Sequence, residues 1–341
     1  MKESVPHHAE NHGLAPGPGT AFKLWTLICF LESEGGQGIL IFDIWIFFGI
    51  LSVMGPDILR DQAGFRRQVM DALSREPVDF VEQFAFIERQ KDKEESFAGG
   101  GILLPLFFQG EGQSGEPRPG EYVFLLNKRS KKVLQPGDLC APGGGIHPFL
   151  DSFSQKILRF KLLPGVGGPG LELAKSRGKK AYEKILFLLG NALRESWEEL
   201  RLSPFNVEFL GPLPTYPLSS RRWIIFPLVG RVKHSWQAKL SWEVEKIVPI
   251  PLSAFFDPEN YAVYSLEVPE KLVAQGIPSP WEFPCLVHRE NGEEEILWGA
   301  TFKVIQTFFQ VVFHFSFPSP DNRRIIRRPL AANYLTGREG I

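Results

Sequence analysis

Between Arg194 and Leu202 the chain reads RESWEELRL, and on a helix Glu195, Glu198 and Glu199 fall at i, i+3 and i+4, on one face. Three like charges within one turn repel and destabilise an isolated helix. A fold that accepts them either spreads them into water beside cations or sets positive charge among them. In the first case they form a solvated face with Arg194 and Arg201 as partners. In the second a hard divalent cation takes the carboxylate oxygens. Mg²⁺ or Mn²⁺ then suits the site better than Zn²⁺, because no His or Cys lies at ligand spacing.

The 341 residues carry 38 Lys+Arg against 39 Asp+Glu, a formal net charge of −1. Such a balance exerts no global pull on polyanions, so nucleic acid is not expected as a partner. The length allows a full core without disulfides. Cys29, Cys140 and Cys285 are an odd number with no CxxC spacing. That argues against a disulfide framework and a zinc knuckle, and the simple localisation is a reducing cytoplasm. The run ILIFDIWIFFGILSVM, Ile39 to Met54, is the one segment that complicates this. A spanning helix wants about 20 apolar residues, and an Asp near its middle, here Asp43, costs roughly 2.5–3.5 kcal/mol on insertion scales. The run therefore reads as a buried element of a soluble protein, with membrane association the less favoured alternative.

Along the chain, residues 1–20 read as a disordered tail and 21–98 as an N-terminal extension. The extension holds an amphipathic helix near Arg60–Ser74, with Phe65, Val69, Met70 and Leu73 at helical spacing. Gly99-Gly100-Gly101 marks a boundary, and residues 99–318 form the main domain. There Ile102–Phe108 and Tyr122–Leu126 read as a hairpin with a long loop, and Val207–Leu210, Trp223–Val229 and Glu245–Ile250 as strands. Ala181–Leu202 reads largely as one helix despite Gly190-Asn191; Thr301–Phe313 reads as a closing helix or a long buried strand. Residues 151–190 hold eight basic against three acidic side chains, a local net of +5, and 319–341 form a basic, mobile tail.

Several motifs in order resemble the Nudix hydrolase superfamily, whose signature ends in REUxEExGU, with U aliphatic. Arg194-Glu195-Ser196-Trp197-Glu198-Glu199-Leu200-Arg201-Leu202 stands for that half, and Gly137-Asp138-Leu139-Cys140-Ala141-Pro142-Gly143-Gly144 resembles the approach to the other. Leu125-Leu126-Asn127-Lys128-Arg129-Ser130 resembles the LLxxRS of the coenzyme A diphosphatase-like branch. Glu243-Val244 with Val248-Pro249-Ile250-Pro251-Leu252, and Trp298-Gly299-Ala300-Thr301, resemble further stretches of that branch. The resemblance covers roughly residues 100–312. Two departures stand out. Gly144 and Arg194 lie fifty residues apart where the family has about fifteen, so 151–190 is an insertion inside the box. The closing Gly of the box is Arg201, which suggests a helix that runs on to Ser203-Pro204.

The resemblance implies an α/β fold, an α/β/α sandwich around a mixed sheet. It implies a Mg²⁺- or Mn²⁺-dependent pyrophosphohydrolase with Glu195, Glu198 and Glu199 as metal ligands. Arg194 would tether the box by an ion pair, and Asp151 is the best-placed residue for the box's own middle acid, where the insertion begins. Arg129, Ser130, Gly143 and Gly144 would meet the substrate, and Glu195 is the leading candidate for base, ahead of Glu208, Glu243 and Glu245. The implied substrate is a small nucleotide, coenzyme A or acyl-CoA. NADH, ADP-ribose or a dinucleoside polyphosphate is the second reading, and a non-catalytic nucleotide-binding or membrane-attached module the third. A homodimer is left open. The basic insertion could form a cationic flap over the site through Lys175, Arg177, Lys179 and Lys180, or be a solubilising decoration.

Overall fold

The computed structural model describes residues 56–93, 96–110, 120–159, 168–218, 221–274, 276–290, 292–319, 324–330 and 334. The apolar run 39–54 and the tail 1–20 lie outside the described residues. No helix among the described residues is long and apolar enough to cross a membrane.

In chain order the elements begin with α1 (Gln62–Arg75) and α2 (Phe80–Gln90), then β1 (Ala98–Gln109), β2 (Glu121–Arg129) and β3 (Leu139–Cys140). Next come α3 (Pro148–Arg159), α4 (Pro169–Lys175) and α5 (Lys179–Leu200). There follow β4 (Val207–Pro212), β5 (Tyr216–Leu218), β6 (Trp223–Val232), β7 (Val244–Pro251) and β8 (Tyr261–Glu267). Short α6 (Glu270–Val273) leads to β9 (Trp281–Glu290), β10 (Glu293–Trp298), α7 (Gly299–Phe313) and β11 (Ile325–Pro329).

The main sheet is mixed. It runs β3-β2-β1-β6-β4, with β7 on the far edge of β2 and β5 on β6. β1 and β6 are parallel and the other pairs antiparallel. Alternation along β2 divides its side chains between two cores. Val123 and Leu125 join Ile185, Leu188, Leu189 and Ala192 of α5. Phe124 points the other way, its ring 5.3 Å from Phe308 of α7 and 5.7 Å from Phe255. Helices thus cover both faces of the sheet, as an α/β/α sandwich. Phe65 of α1 packs 4.7 Å from Tyr122 and 5.9 Å from Phe313, and Phe80 of α2 is fully buried.

Several expectations are corrected. Gly99, Gly100 and Gly101 do not break the chain but lie within β1. A Cβ on Gly101 would meet the Leu188 carbonyl of α5 at 2.5 Å, and one on Gly100 the Gly144 carbonyl at 1.9 Å. The glycines let a helix and a turn touch the strand backbone. The closing segment is the helix α7, not a strand. Residues 325–329, read as part of a mobile tail, pair parallel with β8 at the edge of a second sheet, β10-β9-β8-β11.

The described residues of the insertion, 151–159 and 168–190, are largely helical, and Lys175, Arg177, Lys179 and Lys180 do not line the cleft at Glu195, Glu198 and Glu199. Arg177 donates to the carbonyls of Leu73, Ser74 and Glu76, capping the end of α1. Lys175 pairs with Glu172 at 2.9 Å. Gly190 makes room for α3, since a Cβ there would lie 2.9 Å from that of Ser154, and α5 runs through Gly190-Asn191 unbroken.

Gly101→Ala is expected to destabilise the fold by about 1–3 kcal/mol, the usual range for overpacking, because the atom it meets is backbone and cannot swing aside. Urea unfolding compared with wild type measures this.

Candidate active site

The Gly143–Gly145 turn reaches α5 through the gap where β1 and β2 diverge. Ile102 bridges Gly143, and Leu103 N–H donates to Pro142 O at 2.8 Å. Asn191, fully buried in α5, accepts from Gly101 N–H at 2.7 Å through Oδ1. Its amide nitrogen donates to Gly145 O at 3.0 Å and to Asp151 Oδ2 at 3.2 Å. One side chain therefore joins strand, turn and insertion to the helix.

Asp151 in the first turn of α3 is 0% exposed. A buried carboxylate needs a cation and full hydrogen bonding. Arg194 Nε donates to its Oδ1 at 2.8 Å, and His147 N–H to Oδ2 at 2.6 Å. The same guanidinium reaches Glu195 Oε1 at 2.9 Å, Glu198 Oε2 at 3.1 Å and the Gly145 carbonyl at 3.3 Å. It thus binds an acid from the insertion, two from its own helix and the turn.

Glu195 and Glu199 face the turn. A Cβ on Gly144 would stand 2.6–2.7 Å from the Glu195 carboxyl, so any larger residue there would push that carboxyl aside. Asn127 of β2, 1% exposed, donates through Nδ2 to Glu199 Oε2 at 2.6 Å. Burial raises the pKa of Glu195, with Glu198 adding to it. Glu199 is pushed up to about 8, first by burial and then by the neighbouring charge of Glu195; a hydrogen bond from the Gly143 backbone opposes this. Negative charge is concentrated here without enough cations to balance it.

The helix does not run on to Ser203-Pro204. It ends at Leu200, and Arg201 adopts the left-handed conformation at φ 55°, where its N–H bonds Trp197 O at 2.9 Å and Leu202 N–H bonds Ser196 O at 3.3 Å. This is the αL cap, with the bond from the C′ N–H to the C3 carbonyl, in the position that glycine usually occupies. The loop between β6 and β7 caps the helix too: Lys239 N–H reaches Leu200 O at 3.2 Å and Ser241 N–H reaches Glu199 O at 2.8 Å. Between helix and loop opens a cleft of about 430 Å³, lined by Glu195, Glu198, Glu199, Arg201 and residues 239–243.

The other expected residues fall on the rim or elsewhere. Ser130 Oγ donates to Trp242 O at 2.8 Å and so holds the cleft loop. Arg129 donates through Nε to Leu134 O at 2.7 Å, and its charge acts on Glu199. Glu243 lines the cleft. Glu208 is bound to Arg66 and Arg231 instead, and Glu245 lies 3.6 Å from Lys128. Lys175, Arg177, Lys179 and Lys180 are not among the lining residues. Asn127 and Asn191 were missed by sequence reasoning; the available signal was a lone Asn inside an apolar run, which once buried must find partners.

Among the described residues no three acidic, His or Cys side chains converge on one point as they stand. Glu195 and Glu198 lean instead on Arg194. The donor set nevertheless fits a hard cation. It offers carboxylate oxygens only, and the raised Glu199 marks charge that a cation would relieve.

Compared with solved structures, the chain is similar to a C. elegans Ap4A hydrolase binary complex, at 13% identity over 46% of this chain and 81% of that one, TM-score 0.28. It is also similar to a Nudix hydrolase from Alicyclobacillus acidocaldarius, at 14% identity over 46% and 79%, TM-score 0.31. A third is the Nudix domain of Shewanella oneidensis NrtR complexed with ADP ribose, at 15% identity over 50% and 83%, TM-score 0.26. No family model and no curated protein matches the chain. What the site does is therefore read from its own residues.

Arg194→Ala strands Asp151 as an unpaired buried charge and is expected to destabilise the fold by about 3–5 kcal/mol; Asp151→Asn, which removes that charge, should lose less, both measured by urea unfolding. Glu199 supplies a pH test. Its folded pKa of about 8 lies above its ordinary 4.5, so the folded state binds the extra proton and stability falls as pH rises between those values. In the presence of EDTA, Glu199→Gln should melt above wild type at pH 8, and the gap should close towards pH 4.5.

Proposed function

We propose that this chain is a divalent-cation-dependent pyrophosphohydrolase of the Nudix type, which cleaves a nucleoside diphosphate linked to a second moiety. The observation that carries it is the placing of Glu195, Glu198 and Glu199 on one cleft against the Gly143–Gly144 turn, with Arg194 anchored to buried Asp151. Glu195, Glu198 and Glu199 would hold Mg²⁺ or Mn²⁺. Such a cation supplies neutralisation of the pyrophosphate oxygens and a water acidic enough for a carboxylate to deprotonate.

The chain's own groups do the remainder. Gly143 and Gly144, lacking side chains, let a phosphate approach the helix end. Arg194 sets the azimuth of α5 and holds Glu195 and Glu198 in place. Glu195 is our candidate base, and Glu243 is the alternative on the same cleft. Arg129 and Ser130 would help hold the nucleotide, Arg129 through its charge and Ser130 by fixing the loop at Trp242. The LLNKRS stretch favours coenzyme A or acyl-CoA, giving 3′,5′-ADP and 4′-phosphopantetheine.

The test is product formation with Mg²⁺ across coenzyme A, acetyl-CoA, NADH, ADP-ribose and diadenosine tetraphosphate. Coenzyme A should turn over best. Preference for another member keeps the chemistry and rejects the substrate, and no turnover of any rejects the hydrolase in favour of a binding module. Glu198→Gln and Glu199→Gln should each lower kcat by roughly two to four orders of magnitude. Full activity in Glu199→Gln would refute the site.

A further inference from the structure

The wall of the cleft opposite the glutamates has no part in the chemistry above. It carries Lys239, Leu240 and Trp242, with Arg201 at the helix end. Trp242 is 63% exposed, although a side chain of that size is ordinarily well covered. Its backbone is nevertheless fixed from both sides. Ser130 donates through Oγ to Trp242 O and through N–H to Glu243 O, each at 2.8 Å, and Ser241 N–H is tied to Glu199 O. An exposed indole on a pinned loop loses little conformational freedom when something covers it.

The neighbouring charges narrow what that is. Lys239 has no ion-pair partner among the described residues, and the Arg201 guanidinium stands 5.3 Å from the Trp197 ring, outside any ion pair described. The cleft thus brings together carboxylates, two cations outside any described ion pair, and one aromatic face. A molecule that carries both phosphates and a flat ring matches that set. An alkyl chain matches it less well: only Leu240 and Trp242 are apolar, both are exposed, and four glutamates share the space, so water is not excluded from a chain. A planar base needs only one face.

We propose that Trp242 is the stacking platform for the nucleobase of the substrate, with Lys239 and Arg201 taking its phosphates. This rests on the reading of the cleft as a nucleotide diphosphate site, and it makes Trp242 a specificity residue for the base.

The test measures equilibrium binding with Mg²⁺ by calorimetry, without turnover, using ADP and inorganic pyrophosphate as probes. Trp242→Ala should weaken ADP by about 10–100-fold, the range for loss of one base–aromatic stack, and leave pyrophosphate unchanged. Trp242→Phe should recover most of the ADP affinity, and Lys239→Ala should weaken both probes together. Equal ADP binding by Trp242→Ala and wild type, equal weakening of both probes in Trp242→Ala, or no binding of ADP by wild type would each overturn the proposal. Because the side chain is exposed, Trp242→Ala should keep the wild-type melting temperature. A wild type that binds ADP through Trp242 but hydrolyses nothing in the substrate panel keeps the platform and rejects the hydrolase.

Discussion

The buried pair of Arg194 and Asp151 is the interaction on which the site depends. Taking a carboxylate fully out of water costs several kcal/mol, so Asp151 is tolerable only with its complete set of donors. Its three donors come from two places: Arg194 and Asn191 on α5, and the His147 backbone leading into α3. To satisfy one anion the fold must therefore bring insertion and helix into a fixed relation. The Gly145 carbonyl, bound by both Asn191 and Arg194, adds the turn to the same assembly. Position and rotation of α5 follow, and with them the direction of three glutamates.

The same arrangement keeps the site away from its own electrostatic optimum. One guanidinium serves Asp151, Glu195 and Glu198, and leaves Glu199 to an amide hydrogen bond. Glu199 ionises reluctantly in that setting. A fold selected for stability alone would place a second cation or a neutral side chain there. Held open between helix and loop, the imbalance gives the cleft an affinity for positive charge that no exposed row of glutamates would have.

Much of this architecture was legible. The 3.6-residue spacing of Ile185, Leu188, Leu189, Ala192 and Leu193 predicted α5 through Gly190-Asn191, and the strands from Ile102 to Ile250 follow their apolar runs. What stayed hidden depends on contacts distant in sequence. Gly99–Gly101 look like a linker until a helix and a turn are seen against their backbone. β11 is IIRRP, a basic stretch that becomes a strand only because β8 presents an edge to it, and β9 contains Pro284. At the site the spacing put the three glutamates on one helix face, but it left open whether that face is solvated or holds a cation, and only the resemblance favoured the second. Asn127 could not, since nothing local says that a lone amide at the end of YVFLLN will face a carboxylate. The left-handed Arg201 was hidden likewise: local preference favours glycine there, and the loop that receives the helix end overrides it.

The fifty residues between Gly144 and Arg194 raise a question of polymer entropy. Closing a loop becomes less favourable only with the logarithm of its length, so lengthening the path from about fifteen residues to about fifty costs on the order of 1 kcal/mol. Against that stand Leu158 of α3 and Leu171 of α4, both at most 5% exposed, each worth roughly 1.5–3 kcal/mol when buried. Those two burials offset the loop-closure term, and the detour places the acid that pairs with Arg194 inside itself. In this chain the interrupting segment is a structural part of what it interrupts, and cutting it out would remove Asp151 along with the slack.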